Sequence, residues 1–578
     1  MKDRNSYLIN KSLGRFLFAS IATMAIVNIN NVVDSILMGQ LIGPQAVSAI
    51  QNVSPVTGLL AGISLLLTAG ASIIIAKALG RRDFDEASSS LTTAIVSCFG
   101  FGVLISLLSL TFSSGLTSAL CLDPALYDNT YKYLSVMLGG AFLLIVMNGT
   151  GGLVEVVGYP KLVSVSMLTS VVVNLICDIL YVKVFSMDIG GAALATLTGY
   201  LVASFMFLFF LFRKRRSLGI RPYFKGFGHM LGENMKMGVP SMLSSLALTL
   251  MIFMCNFFVQ SVHGEAGLFV MSIGLTLVIL GQMVSGGVES AFLSIGGMLV
   301  GQRDYDGLRR LLRRGLTISI GFAVLCNVAV WFIAEHLATL FGAKDPAVIE
   351  MTGQGLPLIA MTNFALSVIL PMVIIFQLNE HPVLSMISAL SLLINLGIGF
   401  ILAKYVIKNI WVAFPIGSAL SILLIPLISI PVRKKAGNSV GPIHLIPVRL
   451  EGVERLDLSV PCDRNRTEGV ISSVREFLEG KCSEERIMGV AHCIDELLLN
   501  YTQHSGKSEK AYMDISLILD AEGLSLFVKD DGVPFDPVHV EADRERSGLT
   551  IVKEFMNDAD YSYSFGQNIV TMKWGKEV

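Results

Sequence analysis

Long apolar segments recur along the first 435 residues and are separated by short polar loops. Each segment reaches the roughly 20 residues that an α-helix needs to cross the hydrocarbon core of a bilayer. The pattern predicts an all-α polytopic membrane protein with two groups of six spans. The predicted spans are 13–38, 51–77, 91–112, 131–153, 162–184, 190–212, 238–262, 268–300, 314–340, 354–377, 382–406 and 409–431.

The pattern changes after residue 435, where helix-like and strand-like stretches alternate. Such alternation over about 120 residues predicts an α/β sandwich large enough to hold its own core. Helices are predicted at 467–480, 484–504 and 547–557, strands at 512–519 and 524–529, and a closing hairpin at 560–574. The predicted domains are an N-terminal six-helix bundle (1–230), a C-terminal six-helix bundle (231–435), a linker (436–455) and a soluble domain (456–578).

The two groups of spans repeat each other in their polar loops. GRRDFDEA, which starts at Gly80, matches GQRDYDGL, which starts at Gly301, at an offset of 221. A second match joins 158–162 to 380–384 at an offset of 222. Chance similarity of apolar helices is disfavoured, because the matching loops are polar and equally spaced. Transporters built from such parallel repeats bind their substrate between the halves.

Composition agrees with the hydropathy pattern, since 53% of the residues are hydrophobic and only 15% are charged. The net charge of −1 conceals an acidic tail, in which residues 456–578 hold 13 Lys and Arg against 23 Asp and Glu. An acidic domain is not expected to bind nucleic acid. Lys and Arg cluster in the loops that follow even-numbered spans, so the positive-inside rule predicts that both termini are cytoplasmic.

Acidic residues inside predicted spans are the main candidates for chemistry. Asp34 lies in the first span, and Asn174 and Asp178 lie one turn apart on one face of the fifth. Carboxylates in a bundle can ligate a cation or take up a proton. The alternative is hydrogen bonding between helices, which stabilises little. At the repeat offsets Asp34 falls on Cys255 and Asp178 on Phe400, which indicates a task confined to the N-terminal bundle.

VDSILMGQLIG with QNVSPVTGLLAGISLLLTAGASIIIAKALGRRDFDEA resembles the multidrug and toxic compound extrusion (MATE) transporters. The resemblance covers roughly residues 10–435 and implies two six-helix bundles that exchange H⁺ or Na⁺ for organic cations. It also implies an ion and substrate site at Asp34, Asn174 and Asp178, with Asn148 and Thr196 as further polar members. Glu289 in the eighth span is the acid of the C-terminal bundle that could take part.

Three short motifs follow one another in the soluble domain. HCIDELLLNYTQHS places Glu496 and Asn500 four residues apart on one helix face, LFVKDDGVPFDP ends a strand at Asp530, and RSGLTIVKEF places Gly548 before a helix. A carboxylate and an amide one turn apart can activate a hydroxyl and hold Mg²⁺ against phosphates. Each motif alone is weak, but the order and spacing together favour nucleotide binding.

These motifs resemble the GHKL (Bergerat) ATP-binding fold, most closely the bacterial anti-sigma-factor serine kinases. The resemblance implies Mg-ATP as ligand, Glu496 as catalytic base and Asn500 as the Mg²⁺ ligand. Asp530 would bind the adenine amino group, Gly532 would shape the adenine pocket and Gly548 would lie at the phosphates. Arg546-Ser547 stands where the family often has a glycine, so nucleotide turnover is less expected than binding.

The sequence therefore predicts a cation-coupled antiporter in the bacterial cell membrane that exports organic cations and carries a regulatory or kinase-like ATP-binding domain. The alternative is a membrane sensor whose tail signals, as a serine kinase, to a protein partner of the anti-anti-sigma type. Anionic cargo such as a lipid-linked sugar is disfavoured, because no Lys or Arg falls mid-span.

Overall fold

The computed structural model describes residues 7–120, 124–214, 222–448, 452–461, 467–504, 512–538 and 558–576. The chain forms two compact units. One is the helical unit Phe16–Ile446, and the other joins Met1–Arg15 to Pro447–Val578. The segment Pro447–Val578 is here called the tail unit.

The first half of the membrane part is built from seven α-helices among the described residues. They are α1 (Tyr7–Leu41), α2 (Pro44–Arg81), α3 (Phe84–Leu120), α4 (Tyr127–Gly139), α5 (Ala141–Val156), α6 (Pro160–Asp178) and α7 (Asp188–Lys214). A π-helical turn, Ile179–Val184, follows α6 directly. The pair α4 and α5 is bent by 55° and together covers the fourth predicted span.

The second half repeats this order. Its helices are α8 (Phe227–Ala291), α9 (Gly297–Gly301), α10 (Tyr305–Leu340), α11 (Pro346–Ala360), α12 (Thr362–Leu378), α13 (Pro382–Leu402) and α14 (Ala413–Ala436). α8 contains the seventh predicted span and most of the eighth, which continues into α9. Gly264, between the two spans, is non-helical (φ 58°, ψ −139°) and marks the break between them. One π-helical turn, Phe292–Gly296, joins α8 to α9, and another, Ala403–Ile407, follows α13 as Ile179–Val184 follows α6.

Among the described residues, ten helices are long and apolar enough to cross a membrane, or eleven when α4 and α5 count as one span. The longest of them, Phe227–Gly301, holds two predicted spans, so the helices account for the twelve segments of the hydropathy pattern. Large apolar side chains on these helices are exposed, for example Phe332 at 76% and Phe205 at 67%. Such exposure suits helices whose outer faces meet lipid.

The repeated polar loop has a structural cause in both halves. Arg82 and Arg303, 221 residues apart, both adopt the left-handed conformation that ends a helix (φ 63° and 54°). The next residue begins the following helix with its carboxylate: Asp83 Oδ1 accepts from the Glu86 N–H at 2.9 Å. Asp304 Oδ1 accepts from the Gly307 N–H at 2.8 Å. The Arg-Asp pair is thus a helix stop followed by a helix cap.

The two halves touch at equivalent glycines. A Cβ on Gly80 would lie 2.4 Å from the Met298 carbonyl oxygen, and one on Gly301 would lie 2.1 Å from the Lys77 carbonyl oxygen. The Cα of Gly301 is also 3.0 Å from that Cβ of Gly80. Because no side chain fits there, α2 and α9 can approach backbone to backbone.

The tail unit holds a five-stranded antiparallel sheet with two helices. Its elements are β1 (Glu454–Pro461), α15 (Thr467–Leu478), α16 (Glu484–His504), β2 (Tyr512–Asp520), β3 (Gly523–Asp530), β4 (Asp558–Ser564) and β5 (Gln567–Gly575). The strand order is β1-β2-β3-β5-β4. Alternate strand residues such as Leu517, Leu526 and Met572 are buried in one core with Val474 and Ile494 of the two helices.

Most predicted tail elements are observed, with two differences. β1 is a strand that the sequence pattern missed, and it begins at Glu454, inside the predicted linker. The predicted helix 547–557, with Gly548 at its start, lies outside the described residues.

Candidate functional site

Two acids of the helical unit come together although 144 residues separate them in sequence. Asp34 lies on α1 and is half-buried, while Asp178, the last residue of α6, is completely buried. Their carboxyl groups interact directly with each other. The π-helical turn that begins at Ile179 immediately follows Asp178, and such turns often mark functional positions. Here the same turn recurs after α13, so it is also a feature of the repeat.

The acid pair has little hydrogen bonding from the described protein. Both oxygens of Asp178 and Oδ1 of Asp34 are buried and accept no hydrogen bond from a described residue. Asn174, also buried, has neither its amide nitrogen nor its amide oxygen paired within the described part. A buried polar group left unpaired costs about 1–3 kcal/mol. The unpaired oxygen atoms of Asp34, Asp178 and Asn174 are therefore suited to bind a proton or a small cation.

Two tyrosines complete this cluster, and the sequence pattern did not single them out. Tyr133 on α4 is buried, interacts with the Thr196 side chain and lies in the electrostatic field of both acids. Tyr200 on α7 lies in the field of Asp34. An aromatic hydroxyl at a buried position usually has a polar partner, which is the one signal that could have drawn attention to Tyr133.

The other predicted members fall in different places. Asn174 packs against α7, where a Cβ on Gly199 would lie 3.3 Å from the Asn174 Cβ. Thr196 donates to the Ala192 carbonyl oxygen of its own helix at 3.1 Å. Asn148 is exposed on α5, and no described hydrogen bond joins it to the two acids.

A further membrane acid, Glu155, was also missed. Glu155 on α5 accepts a hydrogen bond from the Ser20 hydroxyl of α1 at 2.7 Å. It also interacts with Ser290 of α8, next to the predicted Glu289. Glu155 therefore joins helices of both halves, whereas Glu289 is half-buried beside this contact.

The equivalent positions of the second half are apolar packing sites. Cys255, the counterpart of Asp34, is 1% exposed. Phe400, the counterpart of Asp178, is fully buried, with its ring centroid 5.0 Å from that of Phe258 and 5.4 Å from that of Phe414. The backbone repeats, but the carboxylates do not.

The tail unit contains a cavity of about 190 Å³ between α16 and the sheet. Asn500, Asp530 and Gly532 of the predicted nucleotide site all line it. Glu496 is partly exposed one turn earlier on α16 and is not among the lining residues, while Gly548 lies outside the described part. The full lining is Leu497, Asn500, Tyr501, Met513, Val528, Asp530, Gly532, Val533, Pro534, Phe535, Pro537, Asn568 and Val570.

Asp530 is held rigidly at the cavity wall. Its Oδ1 accepts from the Gly532 N–H and from the Asn568 side-chain amide, both at 2.7 Å. The Tyr561 hydroxyl donates in turn to the Asn568 side-chain oxygen at 2.7 Å. Burial, followed by the charges of Asp536 and Asp530, raises the pKa of Tyr561, so its hydroxyl keeps its proton at neutral pH. Asn568 lies in a strand and gave no sequence signal.

Asp531 faces a different set of partners. The Tyr501 hydroxyl donates to Asp531 Oδ1 at 2.7 Å, and Lys11 of α1 forms an ion pair with Asp531 Oδ2. Both acids of the Asp530-Asp531 pair thus have polar partners within the compact unit that joins Met1–Arg15 to Pro447–Val578. Among the described residues, no group of three His, Cys, Asp or Glu side chains could hold a metal ion. One amide ligand is compatible with Mg²⁺, which takes most of its ligands from water and phosphate.

Family models match both parts of the chain. The model described as MatE matches residues 19–180 and 240–401, two segments offset by 221, as the polar loops predicted. The model of a histidine kinase-like ATPase domain matches residues 460–574.

Individual proteins are similar over the membrane part. The multidrug export protein MepA of Staphylococcus aureus (strain bovine RF122 / ET3-1) is 25% identical over 358 residues, which cover 61% of this chain and 78% of MepA. An outward-facing MATE transporter of the MOP superfamily has a TM-score of 0.66 at 21% identity, covering 73% of this chain and 96% of that structure. A MATE structure in the bent conformation gives 0.66 at 22% identity, covering 74% and 96%.

Proposed function

The chain belongs to the MATE family of multidrug efflux transporters, and from this premise we propose that H⁺ or Na⁺ entry through its N-terminal bundle drives the export of an organic cation. Asp34 and Asp178 would take up the coupling ion, and Asn174 and Thr196 would belong to the same polar site. Asn148, exposed on α5, would contact the organic cation rather than the coupling ion.

The observation that carries this proposal is the interaction of two carboxyl groups, three of whose four oxygens are buried and accept no hydrogen bond from a described donor. Two like charges about 4 Å apart repel by roughly 4 kcal/mol at the effective dielectric constant of a protein. A proton or a monovalent cation between them removes this repulsion, as does a cationic substrate nearby. Binding of one cation would therefore be linked to release of another, which is what an antiporter needs.

The test is efflux from proteoliposomes under imposed gradients. A pH gradient in sodium-free buffer and a sodium gradient at equal pH distinguish the two coupling ions. Asp34→Asn and Asp178→Asn are expected to lower gradient-driven transport of a fluorescent organic cation at least 100-fold. Asp188→Asn, at an exposed position at the start of α7, is the matched control and should transport normally. Full coupled efflux by both site variants would show that the acid pair does not carry the ion.

For the tail we propose a cytoplasmic domain that binds Mg-ATP and regulates the carrier. Asp530 would bind the adenine amino group, Gly532 would shape its pocket, Asn500 would ligate Mg²⁺ and Gly548 would lie at the phosphates. Three of these four residues line one cavity, which supports binding. Glu496, the proposed base, is not part of the described lining, so hydrolysis or phosphoryl transfer has less support. We do not propose that ATP bound to this single small domain powers transport.

The second candidate is a sensor whose tail signals to an anti-anti-sigma-type protein partner. Glu496→Gln separates the two, because regulation by bound nucleotide needs no base whereas kinase signalling does. Loss of protein phosphorylation with efflux intact would mean that the carrier and the kinase activities coexist in this chain. Glu485→Gln, exposed in the first turn of the same helix, is the control. Under both candidates, we propose that the protein lies in a bacterial cell membrane with cytoplasmic termini.

A further inference from the structure

The first described residues of α1 pack against the tail unit instead of extending freely. The Ser12 hydroxyl donates to the Phe565 carbonyl oxygen at 3.1 Å, and the Arg15 guanidinium donates to the Gly566 carbonyl oxygen at 2.9 Å. The Gln567 side chain donates back to the Leu8 carbonyl oxygen at 3.1 Å. These contacts bind α1 to the turn between β4 and β5.

A second group of contacts reaches the loop after β3. Lys11 forms an ion pair with Asp531, whose side chain is 1% exposed, and the Lys11 ammonium donates to the Tyr7 hydroxyl at 3.1 Å. The Tyr7 ring lies 5.5 Å from the Tyr512 ring of β2, centroid to centroid. Tyr7–Arg15, here called the docking segment, therefore holds the tail unit at two places.

Both places adjoin the walls of the nucleotide cavity. Asp531 follows Asp530 and accepts from Tyr501, which itself lines the cavity beside Asn500. The turn at Phe565–Gln567 leads directly into Asn568, which holds Asp530 Oδ1 at 2.7 Å. A shift of the docking segment would thus move the supports on either side of Asp530.

We propose that docking of Tyr7–Arg15 onto the tail unit and binding of a Mg-nucleotide in its cavity favour each other, and that this linkage regulates the carrier. The inference rests on the proposed function and names its regulatory contact. Lys11 neutralises Asp531 next to a cavity that must accept polyphosphate, so the docked segment makes the site less repulsive to an anion. Coupling of two binding events is reciprocal, so bound nucleotide strengthens docking by the same factor.

The docking segment belongs to the helix that carries Asp34. α1 runs from Tyr7 to Leu41 without a break and is about 52 Å long at 1.5 Å per residue. The hydrocarbon core takes up only about 30 Å, so α1 is long enough to span it without residues 7–15. Nucleotide in the tail would therefore act on the helix of the proposed coupling acid.

The experiment uses the full chain in lipid nanodiscs and in proteoliposomes. Affinity for a fluorescent ATP analogue with Mg²⁺ is measured for the unchanged chain and for Lys11→Gln, together with hydrogen exchange of residues 7–15. Lys11→Gln is expected to weaken nucleotide binding by between about 5-fold and 150-fold, the usual range of such coupling. In the unchanged chain, saturating nucleotide should slow exchange of residues 7–15 by a similar factor.

Lys481→Gln is the matched control, because Lys481 forms an ion pair with Glu454 in the same unit and neither residue lines the cavity. It should leave affinity and exchange of residues 7–15 unchanged. In proteoliposomes, internal Mg-ATP should alter efflux by the unchanged chain and by Lys481→Gln, but not by Lys11→Gln.

The possible failures are distinguishable. Nucleotide binding that is equal in the unchanged chain and Lys11→Gln, with exchange of residues 7–15 independent of nucleotide, overturns this inference alone. If the unchanged chain binds no nucleotide, both the inference and the nucleotide part of the proposed function are wrong. Linkage in nanodiscs without any effect of Mg-ATP on efflux overturns the regulatory step.

Discussion

The two halves of the helical unit share a backbone plan but differ in their buried chemistry. Both end a helix at a left-handed arginine and begin the next at a capping aspartate, and both place a π-helical turn after the equivalent helix. Among the described residues, the first half brings Asp34 together with the buried Asp178, and the second half has Cys255 and Phe400 at the equivalent positions. The repeated features build the fold, so what is not repeated is the best guide to function.

The largest difference is expected in coupled transport. Asp34→Asn and Asp178→Asn should abolish it, whereas Cys255→Ala and Phe400→Leu at the equivalent positions should change the ion dependence of efflux less than twofold. The reason is that the second-half residues contribute packing and no titratable oxygen. Initial efflux rates under matched gradients measure both pairs. If the variants of the two halves lost coupled transport equally, coupling would depend on the position of these residues and not on their charge.

Substitutions at the equivalent positions 178 and 400 should change the stability of the protein in opposite directions. Phe400→Ala removes a ring that packs between Phe258 and Phe414, and such losses cost about 3–5 kcal/mol. Asp178→Asn removes a buried charge without a described donor, so its Tm should stay equal or rise by a few degrees. Thermal unfolding in detergent, followed by tryptophan fluorescence, makes the comparison. A clear fall in Tm for Asp178→Asn would mean that the acid is part of a structural network.

The shared backbone plan predicts equal effects where the halves meet. Gly80→Ala and Gly301→Ala each place a Cβ within 2.4 Å of a carbonyl oxygen of the opposite helix. Each should destabilise the protein by about 1–3 kcal/mol, as overpacked sites do. Gly100→Ala is the control, because nothing lies within 4 Å of its added Cβ. Unequal shifts in Tm for Gly80→Ala and Gly301→Ala would show that the two positions are not structurally equivalent.

The smallest expected effect concerns the tyrosine beside the acids. Tyr133→Phe keeps the ring and removes the hydroxyl that interacts with Thr196 near Asp34 and Asp178. Loss of a hydrogen bond in a charged cluster should slow coupled efflux about tenfold without abolishing it. Tyr131→Phe, exposed two residues earlier on α4, serves as the control. Identical rates for the two variants would exclude the Tyr133 hydroxyl from the site.

Much of the architecture was predictable because it depends on local pattern. A run of about 20 apolar residues has few alternatives to a membrane-spanning helix, and the polar Arg-Asp loops fix the offset of the repeat. The strands of the tail followed from alternation. β1 was overlooked although Leu456, Leu458 and Val460 alternate with polar residues in the same way, because the predicted linker was extended over its start. Asp34, Asp178 and Asp530 stood out as acids in apolar or turn contexts.

Other residues could not be found this way, because their importance comes from partners far along the chain. Tyr133 gains its meaning from acids on α1 and α6, and Asn568 from Asp530 on another strand. Glu155 was not singled out, and its contacts with α1 and α8 became visible only in the fold. Long-range pairing of this kind leaves no periodic trace in a single sequence.

The sequence by itself determined which segments span, that the halves are duplicates, and which acids break the apolar pattern, since burial of each helix face is a local property. Tertiary structure alone decided that Asp34 meets Asp178 and that Tyr7–Arg15 packs on the tail unit. In the sequence, the start of α1 resembles any polar segment that precedes a membrane span. Nothing in the residues around Lys11 indicates its partner. Only folding brings Asp531, 520 residues away, to that ammonium group.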